Sequence, residues 1–247
     1  MTAQLRSETY KLLTTRTSYA VLATMAGLTT LAVLLHVFGL PVDQLTTQAD
    51  QRGVLTDVGI NLGILFSALL GALSITAEFR TGTIRPTLLL NPRRGRVMAA
   101  KTVVALAAGA LTGLLATATA SAAGVVGLTL RGITVTVDAG DVLRLVAGGT
   151  AAGALWAVIG LGAGALTRAQ VPTLVGLFVW VLFVENLLAG DFPGTHRFVP
   201  GALAQSLAGS TRDGVLTSAM LAAVLLVGYA AAAALAGLAA TLRRDVA

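Results

Sequence analysis

The chain has 247 residues, of which 55% are hydrophobic and only 11% are charged, whereas a soluble domain carries about 25% charged residues. It contains no cysteine, which excludes disulfides, thiolate metal sites and cysteine nucleophiles. The net charge of +6 fits either nucleic acid or anionic lipid as a partner, and the positions of the charges along the chain distinguish the two.

Six stretches contain no Asp, Glu, Lys or Arg: residues 17–42, 58–77, 102–130, 145–167, 169–184 and 214–242. A helix needs about 20 apolar residues to cross the hydrocarbon core of a bilayer. Five stretches reach that length, and the remaining one, 169–184, reaches it by including Glu185 and Asn186. The sequence therefore predicts an all-α, polytopic membrane protein, with residues 1–247 forming a single transmembrane domain. We expect the six spans at about 19–40, 58–77, 102–130, 143–166, 171–188 and 215–238.

The basic residues are distributed unevenly between the segments that connect the spans. With a cytoplasmic N-terminus, the inner segments hold residues 6, 11, 16, 80, 85, 93, 94, 96, 101, 168, 243 and 244, and the outer segments hold only 52, 131, 144, 197 and 212. Lys and Arg are enriched on the cytoplasmic side of membrane proteins. We therefore expect both termini in the cytoplasm, and membrane lipid rather than nucleic acid as the partner of the positive charge.

Residues 1–16 are polar apart from a few leucines. Leu5 and Leu12 share one face of a helix, which favours an amphipathic, interfacial helix that leads into the first span. A solvated basic tail fits the same residues equally well. The first apolar run is too long for the apolar region of a signal peptide, so we expect no cleaved leader.

Residues 78–101 (EFRTGTIRPTLLLNPRRGRVMAAK) are the most patterned connection in the chain. Gly82 is expected to end the second span in a left-handed conformation. Thr83 can cap a short helix with Pro86 in its first turn, and Asn91-Pro92 marks a second stop and start. The pattern predicts a short helix between two broken ends beneath the membrane.

Residues 189–213, between the fifth and sixth spans, form a long outer segment that is still partly apolar. Glycine and proline divide it, and residues 198–207 (FVPGALAQSL) are typical of a short helix. A plain extracellular loop would carry more charge. We expect short re-entrant or interfacial helices here.

Motifs for catalysis or nucleotide binding do not occur in the sequence, which has no Walker A motif, His-Glu-x-x-His, Gly-x-Ser-x-Gly or carboxylate pair within a span. His36 and His196 are far apart, and His36 is best explained as an interfacial or helix-contact residue. We therefore expect neither an enzyme nor a metal or cofactor site in this chain.

Small residues recur at four-residue spacing within the predicted spans. Such pairs permit close approach of two helices, and ordinary packing within the chain explains them best. The pairs are Gly59/Gly63, Gly109/Gly113, Gly149/Gly153 and Gly160/Gly164.

Two carboxylates occur near span ends, where ionisable groups face protein or water and are candidates for function. For Glu78 a salt bridge that closes the connection and a direct role in coupling are equally good explanations. For Glu185, which follows Trp180, simple placement at the interface competes with a role in holding the outer face closed. In the second case its carboxylate would accept hydrogen bonds from backbone N–H groups of the outer segment.

The stretch EFRTGT, a short apolar helix and then NPRRGRVMAAK resembles the membrane subunits of type-2 ABC exporters, the bacterial efflux permeases for drugs, antibiotics and peptides. The stretches 184–188 (VENLL) and 200–207 (PGALAQSL) are similar to this family more loosely. The resemblance implies a permease in the bacterial plasma membrane that pairs with a second copy of itself. It also implies two separate ATPase subunits that bind ATP and magnesium, and a hydrophobic substrate.

Carried onto this sequence, the resemblance implies a cytoplasmic coupling helix at residues 84–90 that docks on the ATPase. It implies coupling residues at Glu78, Phe79, Arg80, Gly82, Thr83, Ile84, Arg85, Leu88, Arg93, Arg94 and Arg96. The second and fifth spans of this family line the pathway, which implies pathway or gate residues at Phe66, Leu69, Leu73, Val179, Phe183 and Glu185.

Two other classes of function share this layout. A stand-alone, ion-coupled secondary transporter would need titratable groups in the middle of its spans, and the sequence offers none there. A membrane scaffold or immunity protein that transports nothing could keep all the same spans.

Overall fold

The computed structural model describes residues 2–84, 86, 94–210 and 217–243. Every regular element within these ranges is helical. Ten α-helices are labelled in chain order: α1 (Thr2–Thr14), α2 (Arg16–Gly39), α3 (Gln48–Thr81), α4 (Arg94–Leu130), α5 (Ala139–Thr167), α6 (Gln170–Val179), α7 (Glu185–Asp191), α8 (Pro193–His196), α9 (Pro200–Leu207) and α10 (Ala219–Arg243). A 3₁₀ turn spans Val42–Leu45, and a π-helical turn, Trp180–Val184, joins α6 to α7.

Six of the described helices are long and apolar enough to cross a membrane: α2, α3, α4, α5, the continuous stretch Gln170–Leu188, and α10. This agrees with the predicted all-helical, multi-pass membrane protein. In α3, 72% of the apolar window is buried, against 22% in α2 and in Gln170–Leu188 and 17% in α10. The second span is therefore the central helix, and the first, fifth and sixth lie at the periphery.

The ends of the central helix follow from local chemistry. Thr47 and Asp50 form a capping box in which each side chain accepts a hydrogen bond from the other residue's backbone N–H, so α3 starts within the polar outer connection. Gly82 ends α3 with φ of 72°, which confirms the predicted left-handed stop, because glycine adopts this conformation without a Cβ clash.

The glycine pairs lie at helix crossings within the chain, which confirms the packing explanation. A Cβ built at Gly113 would overlap with the Gly149 carbonyl, and one at Gly109 with the Gly153 carbonyl. Backbones of α4 and α5 can approach this closely only without side chains. The other two pairs meet a neighbouring helix in the same way: Gly59 meets Ala120, Gly63 meets Ala116, Gly160 meets Ala68 and Gly164 meets Ile75.

Part of the outer segment, helix α9, is buried among the membrane-length helices. The seven residues from Pro200 to Ser206 in α9 are all buried, and α9 packs against α3, α5 and α10. Gln205 Nε2 donates to Asn61 Oδ1 at 3.2 Å, and Arg52 Nη2 donates to Gly209 O at 3.0 Å. These bonds fix the outer segment on the same end of the bundle as the start of α3.

Candidate functional site

Helix α1, the last turns of α3 and the first turns of α4 meet at one end of the bundle, here called the inner end. Glu78 lies one turn before the stop at Gly82, and Lys101 lies just before the uncharged run of α4. Glu8 is the buried residue of α1. Three helices therefore bring charged side chains to one point.

Four side chains form the inner charge cluster: Glu8, Lys11, Glu78 and Lys101. Lys101 Nζ lies 2.7 Å from Glu8 Oε2 and 2.8 Å from Glu78 Oε1, and it donates a third bond to Ser74 O at 3.1 Å. Lys11 Nζ lies 2.9 Å from Glu8 Oε1 and 2.8 Å from Glu78 Oε1. The cluster balances two positive and two negative charges, and a salt bridge joins Glu78 to Lys101.

The cluster is largely withdrawn from solvent, since Glu8, Glu78 and Lys101 are 5%, 7% and 2% exposed. Buried charges of this kind are tolerated only when each is paired and hydrogen-bonded. Burial by itself raises the pKa of the Glu8 carboxyl, but the charge and hydrogen bond of Lys101, and then those of Lys11, outweigh burial and lower this pKa. Burial opposes the charge of Lys11 as well, yet its hydrogen bonds to Glu78 and Glu8 raise its pKa.

Three arginines and Phe79 connect the surrounding helix ends. Arg80 Nε donates to Gln170 Oε1 at 2.7 Å, which ties α3 to the start of α6. Arg94 Nη1 donates to Thr241 O at 3.1 Å, and Arg168 Nη2 donates to Ala240 O at 3.0 Å. Cations at the last carbonyls of α10 are favourable, because these carbonyls lack partners within the helix. Arg168 also stacks 5.4 Å from the centre of the Phe79 ring.

The remaining predicted coupling residues take different positions. Ile84 is buried against Val97 and Phe79, so it packs the end of the described connection against α4. Gly82, Thr83 and Arg96 are exposed. Arg85, Leu88 and Arg93, together with most of the predicted coupling helix 84–90, lie outside the described residues.

A cavity of about 330 Å³ lies beside the inner charge cluster. Its polar wall includes the four cluster residues and Arg80, and its apolar wall includes leucines of α3. The exposed side chains of Thr15, Thr17, Arg80 and Thr81 surround its mouth.

At the opposite end, Trp180, Glu185 and Gly201 form the outer latch. Glu185 is 7% exposed, and its Oε1 accepts from the Trp180 indole Nε1 at 2.7 Å and from the Gly201 backbone N–H at 3.0 Å. The expected hydrogen bond from the outer segment is therefore present. A Cβ at Gly201 would overlap with the Glu185 carboxylate, so a larger residue here would displace the carboxylate from this contact.

The π-helical turn places the two latch residues of the fifth span together. Trp180 and Glu185 are five residues apart, and in an α-helix that spacing points side chains in different directions. In the turn the Glu185 backbone N–H bonds to Trp180 O, the i to i+5 pattern of a π-helix, and the extra residue brings both side chains to one face. Such turns frequently occur at functional sites.

The predicted pathway residues are divided between the core and the surface. Phe66 is 7% exposed within the main apolar core, and Leu69 packs against that core. Leu73 lines the inner cavity. Val179 and Phe183 are 42% and 64% exposed on the fifth span.

Sequence reasoning did not single out Glu8, Lys11 or Lys101 as a site. The available signal was the spacing Glu8-x-x-Lys11, which places both charges on one face of a helix. Their partners on α3 and α4 are distant in sequence. Among the described residues no group of His, Asp and Glu side chains is arranged to hold a metal ion.

Comparison with known proteins adds no family or relative: no protein-family model matches the chain, and no curated protein matches it significantly.

Proposed function

We propose that this chain is the permease subunit of an ATP-driven exporter. Two copies would form the pathway for a hydrophobic or amphipathic substrate, and separate ATPase subunits would supply the energy. Both termini would face the cytoplasm of a bacterial cell.

The observation that carries the proposal is the construction of the inner end. A membrane protein driven by a separate ATPase must receive force through a rigid element at its surface. Here a salt bridge of 2.8 Å joins Glu78 and Lys101, the two ends of the connection, and Ile84 after α3 is buried. A push on this connection would reach α3 and α4 together.

The arginines would transmit such a displacement to other helices. Arg80 links the end of α3 to Gln170 of α6, while Arg94 and Arg168 bind the last carbonyls of α10. A displacement of the connection would therefore act on the second, third, fifth and sixth spans. The outer latch would then be the opposing contact that opens on the far side.

Co-purification tests whether a separate ATPase subunit binds this chain. The tagged chain, extracted from its native membrane in mild detergent, is expected to carry an ATPase polypeptide with Walker motifs and Mg-ATP hydrolysis. Arg96→Glu reverses an exposed charge at the inner end and should reduce ATPase recovery, while the matched change Arg197→Glu at the outer end should not. Recovery of the chain without any ATPase would favour the secondary transporter or the scaffold.

A further inference from the structure

The inner cavity extends from the charged helix ends into the uncharged part of the bundle. It holds about 330 Å³ of space, which is within the range of small-ligand sites. Its apolar wall includes Leu70, Leu73 and Val104, which lie within the uncharged runs. Lys11 and Arg80, near the helix ends, belong to its polar wall. The cavity therefore crosses the level at which lipid headgroups meet hydrocarbon chains.

The carboxylates of the inner charge cluster present little charge to this cavity. Glu8 and Glu78 are buried, and both are paired with Lys11 and Lys101. Lys101 is buried as well. Because the two positive and two negative charges of the cluster balance, the charge available to a ligand comes from the residues that remain exposed.

Those exposed residues are positive. Arg80 lines the cavity, and among the described residues its side chain bonds to Gln170 alone, through Nε. Both terminal nitrogens of its guanidinium are therefore free to bind a phosphate or carboxylate through two parallel N–H bonds. Lys11 is 42% exposed, and Glu8 and Glu78 use two of the three protons of its ammonium.

Neutral donors lie in the same wall. Thr17 and Ser18 in the first turn of α2 line the cavity, and neither hydroxyl is hydrogen-bonded within the described part of the chain. The first turn of a helix is also the positive end of its dipole. Two cations and two free hydroxyls next to an apolar wall fit an amphiphile with an anionic headgroup.

We propose that the cavity binds a phospholipid whose headgroup carries a net negative charge, such as phosphatidylglycerol. Its phosphate lies between Arg80 and Lys11, the hydroxyls at the start of α2 donate to the phosphate oxygens, and the acyl chains begin along the apolar wall. A zwitterionic headgroup fits less well, because its ammonium would lie beside two cations while both carboxylates are already paired. This site does not depend on the proposed transport function, since a scaffold or a secondary transporter would bind the same lipid.

Native mass spectrometry of the purified full-length chain tests the site. The chain is incubated with equimolar dioleoyl phosphatidylglycerol, phosphatidylcholine and phosphatidylethanolamine, and the retained lipids are counted. We expect phosphatidylglycerol to be retained about tenfold over either zwitterionic lipid, the factor expected for one hydrogen bond to a charged group. Equal retention of the three lipids would overturn the proposal, as would a preference for a zwitterionic lipid.

Two exposed arginines distinguish the cavity from the general positive charge of the inner end. Arg80→Gln should remove the preference for phosphatidylglycerol. Arg96→Gln removes the same charge from an exposed residue outside the cavity wall and should keep the preference. An equal loss in both variants would assign the lipid to the general surface charge, and an unchanged preference in Arg80→Gln would refute the site as well.

A cavity-filling variant and a soluble anion test whether the acyl chains enter the apolar wall. Leu73→Trp changes no charge and should remove the bound lipid, whereas Leu31→Trp on the exposed face of α2 should not. Retention of the lipid by Leu73→Trp would place it elsewhere. Glycerol phosphate at millimolar concentration carries the same anion without acyl chains, so it should not displace the lipid. Displacement would assign the site to a soluble anion and overturn its assignment to a lipid.

Discussion

Burial of the Glu185 carboxylate at the outer end of the fifth span costs free energy, and two hydrogen bonds offset that cost. Glu185→Ala would leave the Gly201 N–H and the Trp180 indole without their acceptor. Leaving such a buried donor unsatisfied destabilises the closed outer segment by about 1–3 kcal/mol. Glu185→Gln keeps an acceptor oxygen. We expect the Ala variant to open the outer segment about tenfold more often, and the Gln variant to open it less.

Trypsin cleavage after Arg197, which is exposed next to the latch, measures this opening in solubilised protein. Trp180→Phe is the control, because it removes one donor and leaves the Gly201 bond intact. In the proposed exporter, Glu185→Ala should impair efflux at matched membrane levels and Glu185→Gln should impair it less. Wild-type cleavage and efflux in the Ala variant would reduce Glu185 to an interfacial residue.

Gly201 provides an independent test of the same latch. A Cβ at Gly201 would overlap with the Glu185 carboxylate, so Gly201→Ala should loosen the outer segment as Glu185→Ala does. Residues that act through one contact give non-additive effects. We therefore expect the double variant to be cleaved no faster than Glu185→Ala alone, and additive rates would disprove the shared contact.

At the scale of the elements, α4 and α5 depend on the absence of side chains where they cross. Gly113→Ala would place a methyl group on the Gly149 carbonyl, and overpacking of this kind costs about 1–3 kcal/mol. Gly27→Ala, which meets nothing within 4 Å in α2, should instead gain helix propensity. Thermal unfolding in detergent should show a lower midpoint for Gly113→Ala and an unchanged or higher one for Gly27→Ala. The opposite order would refute the crossing.

The docking of α1 depends on protonation. The lowered pKa of Glu8 means that its contribution is complete above the ordinary glutamate pKa and is lost as the pH falls through the lower, folded value. The raised pKa of Lys11 gives a contribution that is complete below the ordinary lysine pKa and is lost as the pH rises through the folded value. Docking should therefore be strongest between these limits.

Spin labels on cysteines introduced at Thr14 and Val103 can measure this docking, because the chain has no native cysteine and both positions are exposed. We expect a narrow distance distribution at neutral pH that broadens in acid. Lys101→Met leaves Glu8 and Glu78 to share Lys11 alone, with one buried negative charge uncompensated, which costs about 3–5 kcal/mol and should broaden the distribution at neutral pH. A distribution insensitive to both changes would show that the cluster does not hold α1.

The elements differ in how far the sequence determines them. The six apolar runs predict the membrane-length helices because crossing hydrocarbon requires apolar side chains, and Gly82 predicts a stop because of its φ. Helix ends beyond the hydrocarbon are set by caps, so α3 begins at the Thr47 capping box rather than at residue 58. The π-helical turn has no comparable sequence signal, since it is identified by a backbone bond.

Long-range partners limit prediction at the scale of the whole molecule. The sequence predicts that Glu78 is a costly carboxylate, yet its partner Lys11 is 67 positions away and Lys101 binds Glu8 across 93 positions. Only the tertiary arrangement brings these groups together. The same holds for Glu185 and Gly201, because the sequence predicts a hydrogen bond from the outer segment but not which residue donates it.

The fold determines which connections share a side of the membrane, and the basic residues determine which side that is. Gln48 donates to Asp141 at 2.6 Å and Arg52 donates to Gly209, which groups the connections after the first, third and fifth spans at one end. The inner charge cluster and the arginine bonds to α10 group α1, residues 78–84 and the end of α10 at the other. Reporter fusions after Thr47 and Ser210 should therefore report the same side, and fusions after Arg94 and Ala247 the opposite side. From the positive charges we expect the first pair outside and the second pair in the cytoplasm. A full inversion would refute the charge argument alone, whereas a split within either pair would contradict the fold.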